Sequence, residues 1–352
     1  MRNSLSVFAV LAAALGTTAA FAQPQDATPA QAAPALTVQV DNDYFTNADH
    51  HYTNGLRVAY TPAHPWRVMQ HLADLLWAPP TFLVGEPEGP PGQRAERQVS
   101  FVVGQNMFTP DDKAARALVR DDRPYAGWLY AGVALHRIGR DVLDTAELDL
   151  GVVGPSSRAE QTQTLWHRQV NVGPAEGWDH QLHDEPAALL TFERRRRYDE
   201  ALSAVGPVKL DFIATYGAAV GNVYTLADLG GMIRFSNALP LDFGPPRIKP
   251  ALSGADYTPG LGGPGVGVAR AAWYGFLGAD VRAVARDIFL DGNTFRDSHH
   301  VTRKPVVGEL QAGAAFFFGA ARISYMFVYR SREYEEQHGP DRFAGLSLTL
   351  RL

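Results

Sequence analysis

The last ten residues of the chain, FAGLSLTLRL, alternate between apolar and polar side chains. Leu346, Leu348 and Leu350 share one face of this segment, and Ser347 and Thr349 share the other. A period of two residues indicates a β-strand whose two faces meet different surroundings. The same alternation recurs in ELDLGVV, VKLDFIATY and ARISYMFVYR. The chain is therefore predicted to consist mainly of strands with one apolar and one mixed face.

Two architectures accommodate such strands. In a soluble sandwich the apolar face forms the core, whereas in an outer-membrane barrel it faces lipid and the polar face lines the lumen. The strands span about 9–11 residues or more, the length that a tilted strand needs to cross a bilayer. The final strand is regular to its end, although Leu352 stands where an aromatic residue is usual. We therefore predict an all-β transmembrane barrel of the bacterial outer membrane, with a soluble periplasmic β-protein as the alternative.

The alternating segments and the turns between them predict twelve antiparallel strands. An even number is typical of bacterial barrels, and closure leaves no edge strand to pair with other chains. The predicted strands are residues 35–45, 52–61, 96–105, 126–138, 142–154, 186–198, 206–217, 221–236, 271–285, 301–318, 320–330 and 342–352.

The chain begins with the features of a secretory signal peptide. Arg2 supplies a positive charge, residues 5–14 are apolar, and residues 20–22 have the form of a cleavage site. We predict a signal peptide at 1–22, a flexible mature N-terminus at 23–34 and a single barrel domain at 35–352. A membrane anchor is the alternative, but the apolar run is shorter than the roughly 20 residues of a spanning helix.

The composition limits the chemistry that the chain can perform. It contains no cysteine, which excludes disulfides, a cysteine nucleophile and cysteine-ligated metals. The formal net charge of −5 argues against a nucleic-acid partner. No segment after residue 22 has the roughly 18 consecutive apolar residues of a helical membrane span.

Strand parity predicts which connections lie together. If the N-terminus starts in the periplasm, the connections after odd-numbered strands face the outside of the cell. Three polar segments fall on that side, at residues 40–60, 108–130 and 161–186. On the periplasmic side two connections, at 62–95 and 237–270, are long and rich in proline. We interpret them as periplasmic insertions, with an error in the strand count in that region as the alternative.

Strand phase places two polar side chains at the mouth of the predicted barrel. Asp43 has the phase of Thr37 and Gln39, and Thr53 has the phase of Arg57, so both are expected on the lumen side. Asp43 with neighbouring backbone or amide oxygens is suited to a hard cation such as Ca²⁺. A hydrogen-bonded hairpin rim is the alternative interpretation.

His167 lies in LWHRQVN, within the longest predicted outward connection. A neutral histidine is a suitable general base near pH 7, although a lone histidine is more often structural or simply exposed. No G-x-S-x-G segment is present, so the sequence does not support a conventional serine hydrolase. Ser156 and Ser157 lie in the same connection and leave open a phospholipase with a serine nucleophile. A passive pore or structural barrel is the other alternative.

The motifs NDYF…DHHYTNG and DRPYAGWLY, with the histidine-bearing segment before GWDHQLHDEP, resemble those of the lipid A 3′-O-deacylase family of outer-membrane enzymes. The resemblance extends over essentially the whole mature chain. It implies a twelve-stranded barrel with its site near the outer rim, and hydrolysis of the acyl ester at the 3′ position of lipid A. It also implies dependence on Ca²⁺, lipopolysaccharide as substrate and outer-membrane lipids as surroundings. We expect a monomer.

The resemblance assigns roles to individual residues. His167 matches the catalytic histidine, the base that activates water. Asn42 and Asp43 match an Asn-Asp pair at the end of the first strand, and Thr53 matches the residue after Tyr in a Tyr-Thr motif. The resemblance makes Asp43 the metal ligand, and the metal would polarise the ester carbonyl and stabilise the oxyanion.

The chain departs from the family pattern at two places. The acidic residue expected six positions after the histidine is Gly173 here, and Glu176 is the candidate to replace it as a metal ligand, with Glu185 as a weaker one. A basic pair in the second outward connection aligns only roughly. Lys113 and Arg116 are the candidates to bind the phosphates of lipid A.

Two further features have structural interpretations. The turn DRPYAG contains Asp122, Arg123, Tyr125 and Gly127, and its Asp–Arg pair is expected to brace the barrel rim. The run of four arginines at 194–197 is expected to form a solvated basic face, with anchoring to lipid phosphates as the alternative.

Overall fold

The computed structural model describes residues 33–43, 51–63, 85–89, 95–170, 173–198, 208–237, 239–240, 242–248 and 272–352. Within them, the strands form one closed antiparallel barrel in which neighbours in the chain pair and β1 pairs with β12. The strands are β1 Ala35–Asn42, β2 His51–Thr61, β3 Glu96–Thr109, β4 Ala126–Ile138, β5 Val142–Val153, β6 Glu185–Tyr198, β7 Lys209–Gly221, β8 Tyr224–Ser236, β9 Ala272–Asp287, β10 Val306–Phe318, β11 Ala321–Arg330 and β12 Asp341–Arg351. The predicted twelve-stranded fold is confirmed.

The strand boundaries agree closely with those predicted from alternation. β4 has the predicted bounds, whereas β3 continues to Thr109 and β10 begins at Val306 rather than at residue 301. Pro305 precedes β10 and has no N–H to donate to a ladder. The residues before it bond to the β11–β12 connection instead, since Lys304 N donates to Glu333 O at 2.8 Å. The predicted signal peptide and most of the predicted mature N-terminus lie in residues 1–32, outside the described residues.

The apolar face of the strands points out of the barrel, and the polar face points into it. Leu150, Leu229 and Leu277 are 57%, 61% and 59% exposed. Ser347 and Thr349, on the polar face of β12, are buried. This is the reverse of a soluble sandwich and is the arrangement expected of a barrel surrounded by lipid.

The lumen is filled by charged side chains that are buried and paired. Arg57 Nη2 lies 3.0 Å from Glu147 Oε2, and Arg282 Nη2 lies 2.7 Å from Glu309 Oε1. Arg330 Nε lies 2.5 Å from the same Glu309 oxygen. Because an unpaired buried charge is costly, each of these residues depends on its partner. The paired side chains occupy the space that an open channel needs.

The run of four arginines divides between the two faces of β6. Arg195 points into the lumen and binds Glu193 at 2.5 Å, and Arg197 also points inward and binds an aspartate at 3.2 Å. Arg194, on the outer face, binds Asp144 at 2.6 Å. The prediction of a solvated basic face is wrong for these three residues, because successive strand residues point to opposite faces and each arginine meets its own acid.

Residues 242–248, from the connection between β8 and β9, lie inside the lumen and are called the lumen segment here. Asp242 Oδ2 accepts a hydrogen bond from Tyr274 Oη of β9 at 3.1 Å. Arg247 Nη1 lies 3.0 Å from Asp280 Oδ2, also of β9. The wall residues that bind these two side chains are Arg234, Tyr274, Asp280, Glu309 and Arg322. The predicted periplasmic insertion at 237–270 is therefore wrong for this part, because the wall charges hold it within the barrel.

The connections after odd-numbered strands meet at one end of the barrel, called the upper end here; the opposite end is the lower end. The helices α1 Ala159–Val170 and α2 Ile288–Asp291 lie at the upper end, with 3-10 turns at Pro155–Ser157 and Trp178–His180. Among the described residues, no helix has the length and apolar composition needed to cross a membrane.

Only a short part of the predicted insertion at 62–95 is described. Its residues 85–89 lie at the lower end against the turn between β4 and β5, where Arg140 N donates to Glu88 O at 2.9 Å. Arg194 Nη2 donates to Gly85 O at 2.8 Å. This part of the insertion is therefore packed on the barrel wall.

The DRPYAG turn braces the upper end, as the sequence predicts. Arg123 Nη1 lies 3.2 Å from Glu333 Oε2 in the connection between β11 and β12, and both side chains are buried. Asp122 accepts a hydrogen bond from Tyr334 Oη and another, at 2.7 Å, from Asp111 N. The turn therefore joins connections that are about two hundred residues apart in the chain.

Candidate active site

Asp43 follows β1 at the upper end, with the lumen phase predicted from the sequence. Lys113, from the connection between β3 and β4, places Nζ 3.9 Å from Asp43 Oδ2, and the two side chains are 9% and 2% exposed respectively. Charges that are shielded from water interact more strongly than exposed ones. Lys113, predicted as a phosphate ligand, therefore lies against the predicted metal ligand.

Asn42 is the last residue of β1 and is buried. It pairs with Ala344 of β12 on one side and with Asn54 of β2 on the other. Thr53 precedes Asn54 in β2, at an irregularity in the pairing of β2 with β3. The backbone register therefore brings the two predicted site positions Asn42 and Thr53 to the same hairpin, while the side chain of Thr53 lies outside the described residues.

His167 lies near the C-terminal end of α1 and is buried. Its Nδ1 lies 2.7 Å from the carbonyl oxygen of Gly173. Because a carbonyl oxygen can only accept, Nδ1 carries the proton, and in the neutral ring Nε2 keeps the lone pair. The residue that replaces the family's expected acid thus orients the imidazole through its backbone.

Glu176 forms an ion pair with Arg116, whose side chain is 81% exposed. The hydrogen bond from Arg116 lowers the pKa of Glu176 and raises the pKa of Arg116. Exposed ion pairs contribute little to stability because water and salt screen them. This pair therefore links the connection that carries His167 to the β3–β4 connection without burying either charge.

Lys113 also has its backbone fixed by two groups from neighbouring turns. Its carbonyl oxygen accepts from Glu176 N at 2.8 Å and from Tyr125 Oη at 3.1 Å. Burial raises the pKa of Tyr125 to about 12, so the hydroxyl keeps its proton at neutral pH. The position of Lys113 is therefore coupled to the connection that carries His167.

The described residues do not complete a calcium site. Ca²⁺ takes six to eight oxygen ligands, and within the described parts of the chain no group of three or more His, Asp or Glu side chains is placed to hold a metal. Asp43 is buried beside Lys113, and Glu176 is engaged by Arg116. The predicted roles of Asp43 and Glu176 as metal ligands therefore stay predictions.

The two serines of the same connection are occupied by local hydrogen bonds. Ser156 Oγ donates to Asp184 Oδ2 at 2.7 Å, and Ser157 Oγ donates to Gly154 O at 2.6 Å. Glu185, the weaker metal candidate, accepts instead from Asn222 Nδ2 at 2.8 Å. Among the described contacts, neither serine hydroxyl is directed to a histidine.

The family described as outer membrane protein LpxR matches residues 7–352. The chain belongs to the LpxR family. The match includes all twelve strands and the connections that carry Asp43, Lys113 and His167, and it places the protein in the outer membrane. No curated protein sequence matches the chain significantly.

Three solved structures are similar to this LpxR family member to different degrees. LpxR from Salmonella typhimurium matches with a TM-score of 0.66 and 17% identity, covering 90% of this chain and 100% of that chain. The beta domain of the Bordetella autotransporter Brka has a TM-score of 0.40 and 9% identity, covering 91% of this chain and 99% of that chain. KdgM porin has a TM-score of 0.36 and 5% identity, covering 90% and 99%. The first similarity shows a shared fold.

Sequence reasoning missed two features of this LpxR family member. It treated 155–185 as a loop, whereas α1 carries His167 there. It also missed a buried group of three residues on the inner wall, where Ser100 Oγ lies 3.0 Å from His136 Nε2 and His136 Nδ1 lies 3.0 Å from Thr145 Oγ1. The lumen phase of these residues was the available signal, but their proximity depends on strand register. All three are buried in the barrel wall.

Proposed function

We propose that the protein hydrolyses the ester that links an acyl or acyloxyacyl chain to the 3′ position of lipid A, with lipopolysaccharide as its substrate. Membership of the LpxR family supports the substrate class. The observation that carries the proposal is the hydrogen bond between His167 Nδ1 and Gly173 O, which prepares Nε2 to accept a proton.

The proposed reaction is a water-mediated ester hydrolysis. His167 Nε2 removes a proton from a water molecule as the water oxygen attacks the ester carbonyl. When the tetrahedral intermediate collapses, the bond between the acyl carbon and the 3′ oxygen of the sugar breaks. The imidazolium then returns the proton to that departing oxygen. The products are a free fatty acid and a 3′ hydroxyl, and His167 is regenerated.

The other predicted residues have defined places in this proposal. Asn42, Asp43 and Thr53 belong to the hairpin of β1 and β2, and they stay predicted members of the site. Lys113 and Arg116 are proposed to bind substrate phosphates, since both are cations of the β3–β4 connection. Dependence on Ca²⁺ stays a prediction, and no step is assigned to the metal because the described residues do not complete its ligand set.

A passive pore is the second candidate, and the filled lumen counts against it. The lumen segment 242–248 and the buried ion pairs, such as Arg57 with Glu147, occupy the interior. A serine phospholipase is weaker still, because the hydroxyls of Ser156 and Ser157 donate to Asp184 and to a backbone carbonyl.

Mass spectrometry of lipid A tests the proposal. Cells that express the wild-type protein should yield lipid A lacking one 3′ acyl or acyloxyacyl group, whereas cells that express His167→Ala should not. Removal of a positioned general base typically costs about 10²–10⁴-fold in rate. The barrel of His167→Ala should remain folded, as judged by heat-modifiable electrophoretic mobility. A fully active His167→Ala enzyme would refute the mechanism, and an unchanged lipid A mass with the wild type would refute the substrate.

A further inference from the structure

Two of the sequence motifs interlock at the upper end. Tyr125, from DRPYAG, packs its ring against Trp178, from the segment GWDHQLHDEP, with ring centroids 5.0 Å apart. Gly177 allows this contact, because a Cβ atom there would lie 2.5 Å from Tyr125 Cε2. Leu182 N donates to Tyr125 O at 2.9 Å. Tyr125 therefore packs against residues 177–182, which follow His167 in the chain.

The beginning of α1 fits against the same motif. Gly127 lies beside the start of the helix, where an added Cβ atom would be 2.1 Å from Ser157 Oγ and 2.3 Å from Ala159 Cβ. Gly154 N donates to Gly127 O at 3.0 Å. The absence of a side chain at Gly127 thus lets α1 start directly against β4.

The indole of Trp178 reaches back to α1. Trp178 Nε1 donates to Gln163 Oε1 at 2.7 Å, and both side chains are buried, at 3% and 2% exposure. Gln163 and His167 are four residues apart in α1, so they lie on the same face, one turn apart. The hydrogen bond therefore holds the turn of α1 that precedes the catalytic histidine of the proposed mechanism.

Tyr125 also contacts Lys113. The Tyr125 hydroxyl donates to the carbonyl oxygen of Lys113 at 3.1 Å, and the Lys113 side chain faces Asp43. A continuous series of contacts thus runs from Asp43 through Lys113, Tyr125 and Trp178 to α1. The side chains of all four of these residues are buried.

We infer that Gln163 and Trp178 are positioning residues, which act with Tyr125 to hold His167 in register with Asp43 and Lys113. The inference rests on the proposed function for its catalytic meaning. Its structural part is that one hydrogen bond and one aromatic contact fix the orientation of α1 relative to the barrel rim. A displacement of about 1 Å in a catalytic group can cost about a hundredfold in rate.

A double-mutant cycle tests the inference. Trp178→Phe removes the N–H and keeps an aromatic ring, and Gln163→Leu removes the acceptor at similar volume. Each should lower kcat on lipid A about tenfold to a hundredfold with little change in KM, and the double variant should be no worse than either single variant. Gln161→Leu is the matched control, because Gln161 is in the same helix and is exposed.

Hydrogen exchange of the amides of α1 supplies a readout that does not depend on activity. Exchange should accelerate equally in the two single variants and in the double variant, and not in Gln161→Leu. If the wild type does not act on lipid A, the proposed function fails and the exchange data alone decide the inference. Single variants that match Gln161→Leu in exchange, or effects that add in the double variant, would overturn it.

Discussion

The imidazole of His167 is held by the backbone of Gly173, whose carbonyl oxygen lies 2.7 Å from Nδ1. A backbone carbonyl carries no net charge, so it selects the tautomer without placing a second charge beside the ring. With Nδ1 protonated, Nε2 is the ring nitrogen that serves as the base in the proposed mechanism.

Substitution of Gly173 by alanine should leave the proposed activity nearly unchanged. The carbonyl group is retained, and an added Cβ atom has no neighbour within 4 Å. A surface substitution of this kind typically changes stability by about 0.5 kcal/mol or less. The rate of lipid A deacylation by Gly173→Ala should therefore match the wild type, and a loss as large as that of His167→Ala would contradict the assigned role of the carbonyl.

Removal of calcium should abolish the proposed activity if Asp43 takes the role that the family resemblance implies. Treatment with EDTA should stop deacylation, and added Ca²⁺ should restore it, while Asp43→Asn should be inactive in both conditions. Circular dichroism should show that the barrel stays folded. Full activity in EDTA would contradict the predicted role of Asp43 as a metal ligand.

Replacement of Arg116 by alanine should weaken substrate binding more than it affects folding. The Arg116 side chain is exposed, and among the ion pairs described it is bound only by the partly exposed acid Glu176, so it is available to a lipid phosphate. KM should rise about tenfold with kcat unchanged, and the effect should shrink at high salt. Arg120→Ala is the matched control in the same connection, since Arg120 is also exposed. Equal KM values for the two variants would exclude the role of Arg116.

The stability of the upper end should depend on pH through Glu333. Burial opposes ionisation, but the charges of Arg330 and Arg123 prevail and lower the pKa of this carboxyl below its ordinary value of 4.5. A lowered pKa means that the stabilisation is complete above the ordinary value and is lost as pH falls through the lowered one. Glu333→Gln should therefore be less stable by roughly 3–5 kcal/mol at pH 7, with the difference shrinking below about pH 4.

Urea unfolding of the refolded barrel at pH 7 and at pH 3 measures this effect. The matched control is Glu335→Gln, two residues further along, because Glu335 is 55% exposed and pairs with Lys304 at the surface. The control should lose little stability at either pH. A pH-independent difference between Glu333→Gln and the wild type would show that the ion pairs of Glu333 do not carry the stabilisation.

The lumen segment should keep the barrel closed to ions. The wild-type protein in a planar bilayer should show no steady conductance, because residues 242–248 and their charged partners fill the interior. A variant in which residues 242–248 are replaced by a short glycine linker should conduct if it remains folded by heat-modifiable mobility. Conductance in the wild type equal to that of the variant would mean that the segment does not block the lumen.

Alternation along the chain was sufficient to predict the barrel. The sequence of each strand alternates between apolar and polar residues, because one face of the strand contacts lipid and the other contacts the polar lumen. The phase of β1 placed Asp43 on the lumen side, and parity placed the segments that contain Asp43 and His167 at the same end. These are local properties, and a period of two residues can be recognised in a single segment without knowing which strand pairs with it.

The remaining features depend on residues that are distant in the chain. Helix α1 was not predicted, because its polar sequence AEQTQTLWHRQV has few apolar residues and gains its stability from packing against Gly127 and Trp178. The sequence predicted the lumen segment outside the barrel, because charged residues are usually solvated. In the structure its charges form ion pairs with acids and arginines of the barrel wall. Such contacts are set by barrel closure and strand register, which bring together side chains that short-range periodicity cannot relate.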